Sequence, residues 1–175
     1  MALINHEIDL IAPFIEALKC ENVKNSYRLI LYGNTISNEK WNQLGLSEIA
    51  EYRGWLDYSK DVSTLKDIDV FLQLLDDNNV SKAGWPNKLG DYLAFGKPII
   101  LSPYGDIIDF VKNEKGFFIV EYNKYSILKI LQEIKDIPYS DLKTMGYANR
   151  QLAEKISWKN RAKNIEYICN KIRFK

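Results

Sequence analysis

Two rhythms of apolar residues alternate along the chain. One is a short unbroken run closed by glycine, asparagine or proline. It appears as LILY before Gly33 and Asn34, as DVFLQLL from Asp69 to Leu75, as KPIILS, as GFFIV and, more weakly, as EYRGWL with Gly54 near its end. Such runs read as strands buried on both faces, because a strand wet on one face would alternate apolar with polar residues. The second rhythm is helical. Ile8, Ile11, Ile15 and Leu18 recur at helical spacing near the start, and Pro13 either kinks that helix or begins a second one. EKWNQLGL predicts a short helix, SKDVSTLKDID a helical turn or two, and IIDFVKNEK another helix, while NVSKAGW reads as a loop. PNKLGDYLAFG has proline near its first turn and glycine at its end, the expected asymmetry of a helix. In YSILKILQEIK, Ile127, Ile130, Leu131 and Ile134 share one face, and two more helices follow, near 140–155 and 158–172.

Strands separated by helices predict an α/β domain, a parallel sheet with helices on both faces. About five strands are expected from the runs above. In such sheets ligands bind at the carboxyl ends of the strands. Here that means the loops after Tyr32, Gly54, Leu75, Ser102 and Val120.

Bulk properties narrow the class. The chain has 175 residues, which suits one domain spanning 1–175. Hydrophobic residues make up 46% and charged residues 27%, the balance of a soluble globular protein. A net charge of +1 provides no large field for nucleic acid. No apolar segment is long enough to span a membrane, and MALINHEIDL lacks the basic flank and long apolar core of a signal peptide. Cys20 and Cys169 are far apart and outside any CxxC pair, and His6 is the single histidine, so a zinc site is not expected. Both cysteines read as reduced and structural, and the compartment as cytoplasmic.

The stretch SKAGWPNKLGDYLAFGKPII concentrates the chemistry. On a helical wheel with Asn87 at zero, Asp91 and Ala94 fall within about 40° and Lys88 at about 100°, with Leu89, Tyr92 and Leu93 opposite. The helix thus has an apolar face for the sheet and a polar face that begins at its N-terminus. Helix N-termini carry unpaired N–H groups and partial positive charge, which attract phosphate. Gly84 lets backbone approach a ligand, and Lys82 and Lys88 add charge for a diphosphate. Asp91 can accept hydrogen bonds from two neighbouring hydroxyls, as a ribose offers. Spacing alone also fits a solvated Lys–Asp pair one turn apart.

GWPNKLGDYLAFGKPII resembles the donor-site segment of GT-B glycosyltransferases of the family 4 (group 1) type, with Gly84, Pro86, Lys88, Asp91, Tyr92, Ala94, Gly96 and Pro98 in register. RLILYGN, YRGWLD, DIDVFLQLL, PYGDIIDFVKNEKGFFI and Trp158 resemble the flanking landmarks in the same order. The resemblance implies a Rossmann-like sheet, the C-terminal half of a GT-B fold. It implies that Asp91 holds the ribose, that Gly33, Gly54, Trp55 and Leu56 border the base, and that Gly105 and Asp106 sit near the diphosphate or sugar. Trp85, in the donor loop, joins Lys82, Gly84, Pro86, Asn87 and Lys88 as a candidate donor contact. The family's first carboxylate falls on Ala83, a departure that bears on sugar contacts. The implied activity is transfer of a glycosyl group from a nucleotide-diphosphate sugar, as co-substrate, to an acceptor hydroxyl, in polysaccharide or glycoconjugate synthesis. No metal and no other cofactor is expected, because the helix N-terminus can stabilise the leaving diphosphate. The domain's first strand, its Arg/Lys loop and the N-terminal acceptor domain are expected to be absent, and the fragment alone to be inactive.

Remaining features carry less. Asp67 and Asp69 spell DID but read as a helix end and a strand start. His6 reads as exposed rather than catalytic. The basic, partly amphipathic run KNRAKNIEYICNKIRFK admits contact with the inner face of a membrane, although a solvated helix face is favoured. Two other classes stay open: a catalytically degenerate GT-B domain serving as a non-enzymatic binding or scaffold module, which Ala83 favours, and a receiver or flavin carrier, which lacks the required acid cluster.

Overall fold

The computed structural model describes residues 2–4, 8–57, 60 and 62–173. Six parallel strands, Ala2–Ile4 (β1), Leu29–Tyr32 (β2), Ala50–Tyr52 (β3), Phe71–Gln73 (β4), Ile99–Leu101 (β5) and Phe117–Ile119 (β6), form one sheet in the order β3-β2-β1-β4-β5-β6. This is the doubly wound order of a Rossmann-like fold, with its switch point between β1 and β4.

The start of the chain departs from two expectations: the hydrophobic pattern places a helix first, and the resemblance implies that the first strand is missing. Ala2–Ile4 instead supplies a central strand, in register with Ile30–Tyr32 on one side and paired with Phe71 on the other. Three residues at a chain start leave too short a run to stand out from the helical spacing that follows. A 3₁₀ turn at Ile8–Ile11 then leads into helix α1 (Ala12–Leu18), with Pro13 in its first turn, so proline starts this helix rather than kinking it.

Burial on both faces explains the unbroken strand runs. Leu29 and Leu31, Val70 and Leu72, and Ile100 point to one side, where α1 and helix α6 (Lys124–Asp136) cover them through Phe14, Leu18, Ile127 and Leu131. Ile30 and Tyr32, Phe71, and Ile99 and Leu101 point to the other. That side is covered by Leu65 of a 3₁₀ turn at Val62–Asp67 and by helices α4 (Asn87–Phe95), α5 (Ile107–Val111) and α7 (Tyr139–Lys155). Alternate residues of β2, β4 and β5 therefore feed two separate cores.

Local chemistry sets the helix limits. Ser37 caps helix α2 (Asn38–Gln43), its side chain accepting from Lys40 N, and Asn123 caps α6 by accepting from Ser126 N. The segment expected as a loop, NVSKAGW, contains a short helix α3 (Asn79–Ala83), capped by Asn78 Oδ1 at 2.7 Å from Ser81 N. Gly96 ends α4 in the left-handed conformation. Helix α8 (Trp158–Arg173) follows α7 and leaves Trp158, Ile165, Ile168 and Ile172 exposed. Both cysteines are free; Cys169 is exposed on α8, so it is not the packing residue expected of it.

Candidate functional site

α4 is fixed over β4 by one contact above all. Tyr92 stacks on Phe71 with ring centroids 4.4 Å apart and planes 4° from parallel. With Leu89 and Leu93 also buried, the helix is pinned by its apolar face, and its first turn stands over the carboxyl end of β4. No side chain caps that turn. The helix dipole favours an anion at this end, where Leu89 N already donates to Pro86 O at 3.0 Å.

A cleft of about 520 Å³ opens there, bordered by the ends of β4, α3, the 84–86 loop and the first residues of α4. Of the residues expected to bind a donor, it brings together Gly84, Trp85, Pro86, Asn87 and Lys88. Trp85 also packs edge-on against Phe110 at 5.2 Å, which ties the loop to α5.

The other expected residues surround the cleft without lining it. Lys82 is at its edge, paired with Asp77. Gly105 is pressed against α3: a Cβ there would lie 3.0 Å from the carbonyl oxygens of Ser81 and Lys82, and its φ of 85° suits glycine. Asp106 is exposed just before α5. Asp91 is exposed one turn along α4. Gly33 and Gly54 form a second group beyond the ends of β2 and β3, joined by a hydrogen bond from Gly33 N to Gly54 O at 2.9 Å. Tyr52 Oη donates to Gly33 O at 2.7 Å and stiffens the same corner. Beside it Leu56 is buried while Trp55 is 67% exposed.

Several cleft residues carry no signal in the motif reading: Leu10, Gln73, Asp76, Asn78 and Ser81. Gln73 is the one a pattern could have flagged, as the single polar residue inside the buried run DVFLQLL. Asp76 organises the loop, its Oδ1 accepting from Asn78 Nδ2 at 2.7 Å and from Ser81 Oγ at 2.8 Å. Burial pushes the Tyr122 hydroxyl above its ordinary range, and the negative charges of Asp76 and Asp9 push it the same way. Asp67 and Asp69 border a separate cavity of about 440 Å³, with Ser26, Arg28 and Val70, at the amino ends of the strands. They are a helix end and a strand start, away from the cleft. His6 lies outside the described residues.

No protein-family model and no curated protein matches the sequence. Solved structures do match the fold. Sucrose-phosphate synthase from Thermosynechococcus elongatus superposes with a TM-score of 0.73 at 14% identity, covering 98% of this chain and 45% of that one. HepE from Anabaena, solved with UDP and glucose, gives 0.62 at 14% identity over 82% of this chain and 39% of its own. The C-terminal domain of the group 1 glycosyltransferase LpcC from Francisella tularensis gives 0.62 at 15% identity, over 89% of this chain and 83% of that domain. The chain thus has the Rossmann-like fold of the C-terminal half of GT-B glycosyltransferases. It spans 39–45% of the length of the first whole structures it matches.

Proposed function

We propose that the chain is the donor domain of a glycosyltransferase, binding a nucleotide-diphosphate sugar whose glycosyl group passes to an acceptor hydroxyl. One observation carries this reading: a 520 Å³ cleft at the switch point, walled by Gly84–Lys88 and the uncapped start of α4. The α4 N–H groups and Lys88 receive the diphosphate and stabilise the charge that builds as it leaves. Asp91 takes the ribose hydroxyls, the Gly33–Gly54 corner with Trp55 and Leu56 borders the base, and Lys82, Gly105 and Asp106 complete the rim. This chemistry needs no metal. The acceptor is held by a further domain of the parent enzyme, so the isolated chain binds donor without turnover. Among the described residues, no helix is long and apolar enough to cross a membrane. The exposed apolar residues of basic α8 support contact of the parent enzyme with the inner face of a membrane, in polysaccharide or glycoconjugate synthesis.

Titration of UDP, GDP and their sugar conjugates into the chain, followed by tryptophan fluorescence, tests the reading. Saturable binding of one nucleotide, weakened at least about tenfold in Asp91→Ala, is expected, on the scale of a charged hydrogen bond. Absence of binding by every nucleotide, in this chain and in a longer parent, would favour a degenerate scaffold, the reading that Ala83 supports.

A further inference from the structure

The floor of the cleft holds a polar group with no protein partner. Gln73, the last residue of β4, is 8% exposed, and its Oε1 is buried with no hydrogen bond. Strand alternation puts its side chain on the Phe71 face, beneath the start of α4, and it lines the cleft with Pro86, Asn87 and Lys88. Its backbone is held in place. The Gln73 carbonyl accepts from Ser102 N at 3.3 Å, and Ser102 Oγ accepts from Leu75 N at 2.8 Å. Its neighbours Phe71, Leu72 and Leu74 are all buried and apolar, so an apolar residue would serve the core better. A buried carboxamide oxygen left unsatisfied by the fold, on a residue at the wall of a cleft, calls for a partner from outside the protein.

We propose that Gln73 is a specificity residue for the glycosyl part of the donor, its carboxamide hydrogen-bonding a sugar hydroxyl; this rests on the donor-domain reading above. The chemistry of the donor's parts separates them. A carboxamide offers both an acceptor and donors, and a hydroxyl matches it in either amide orientation. An ionised diphosphate only accepts, so it would leave Oε1 unpaired, and its place is at the α4 N–H groups. The base corner is at β2 and β3, and β1 lies between β2 and β4, so Gln73 is about 10 Å or more away, two strand spacings. The ribose hydroxyls go to Asp91 in the reading above, so the sugar is what remains. It also fits Ala83, which is exposed and has no side-chain hydrogen-bonding group for sugar contacts.

The test compares wild type with Gln73→Met, which keeps the volume and removes the hydrogen bonds. Each is titrated calorimetrically with UDP, GDP and a panel of UDP- and GDP-sugars. Gln73→Met is expected to melt at the same or a higher temperature and to bind the bare nucleoside diphosphate within about twofold of wild type. It should lose about tenfold of the affinity for the preferred sugar conjugate, the worth of one good hydrogen bond. Equal losses for nucleotide and nucleotide sugar, no loss for either, or a wild type that distinguishes no sugar would each overturn the assignment. A wild type that binds no nucleotide at all, in this chain and in a longer parent, would overturn the donor-domain reading itself, and this inference with it.

Discussion

Gly146→Ala sets helix propensity against packing. Gly146 is inside α7, where alanine is favoured over glycine by about 0.8–1 kcal/mol. Its added Cβ, however, would land 2.1 Å from the Gly96 carbonyl oxygen, 2.9 Å from the Gly96 carbonyl carbon and 3.2 Å from Lys97 Cα. Close carbon–oxygen contacts in proteins begin near about 3.3 Å, so α7 must retreat by about 1.2 Å. The obstructing atoms are backbone and cannot swing aside. Overpacking of this kind costs about 1–3 kcal/mol. The retreat also stretches the bonds that tie α7 to its neighbours. Arg150 Nη1 donates to Ala94 O at 2.6 Å, and Asn149 Nδ2 donates to Lys97 O at 2.9 Å and to Gly116 O at 2.8 Å. Weakening these adds about 1–2 kcal/mol. Clash and lost bonds exceed the propensity gain, and the net expectation is a loss of about 1–4 kcal/mol. Urea unfolding followed by circular dichroism measures it, with an unchanged m value showing that the transition is the same one. Gly90→Ala is the matched control. Gly90 is also mid-helix, in α4, but its Cβ would meet nothing within 4 Å, so a gain of about 0.5–1 kcal/mol is expected. A Gly146→Ala protein as stable as its parent would refute the close approach of α7 to the end of α4.

Further expectations can be checked on the same protein. Tyr27 Oη donates to Leu131 O, and burial, then the charge of Asp136, pushes its pKa up to about 12. The raised value means that its share of stability is complete below about pH 10 and is lost as pH rises toward 12. Tyr27→Phe should therefore flatten the fall in stability over that window, as read by urea midpoints from pH 9 to 12. Gly105→Ala must take a φ of 85° with its Cβ 3.0 Å from two carbonyl oxygens. Thermal melts should register a cost of about 1–3 kcal/mol, and titration a weaker grip on the nucleotide as the loop shifts against α3. Trp85 lines the cleft and the exposed Trp55 stands at the base corner, so Trp85→Phe should reduce the ligand-induced fluorescence change and Trp85→Phe with Trp55→Phe should remove most of it. A full signal without both tryptophans would place the ligand elsewhere.

The division between local and tertiary information follows the physics of each element. LILY, FLQ and IIL are legible as strands because burial on both faces forbids polar alternation, and that constraint is written into the residues themselves. The limits of α4 are equally local, since Pro86 and Gly96 act on their own backbone. That Gly84 to Lys88 share one wall of the cleft could be read from sequence for the same reason: they are consecutive, and the helix start comes with them. What the sequence could not decide is which distant segments meet. Ala2–Ile4 becomes a strand only because β2 and β4 leave a gap for it. Gln73 is one polar letter in an apolar run until strand parity aims it under α4, and Asp67 and Asp69 prove remote from the cleft only once the strand direction is known. Asp76, Asn78 and Ser81 join the site through a loop whose hydrogen bonds exist only in the folded chain. Side-chain period and capping are properties of neighbours in sequence, whereas the register of a parallel sheet and its crossovers joins residues tens of positions apart, and only the folded structure settles those pairings.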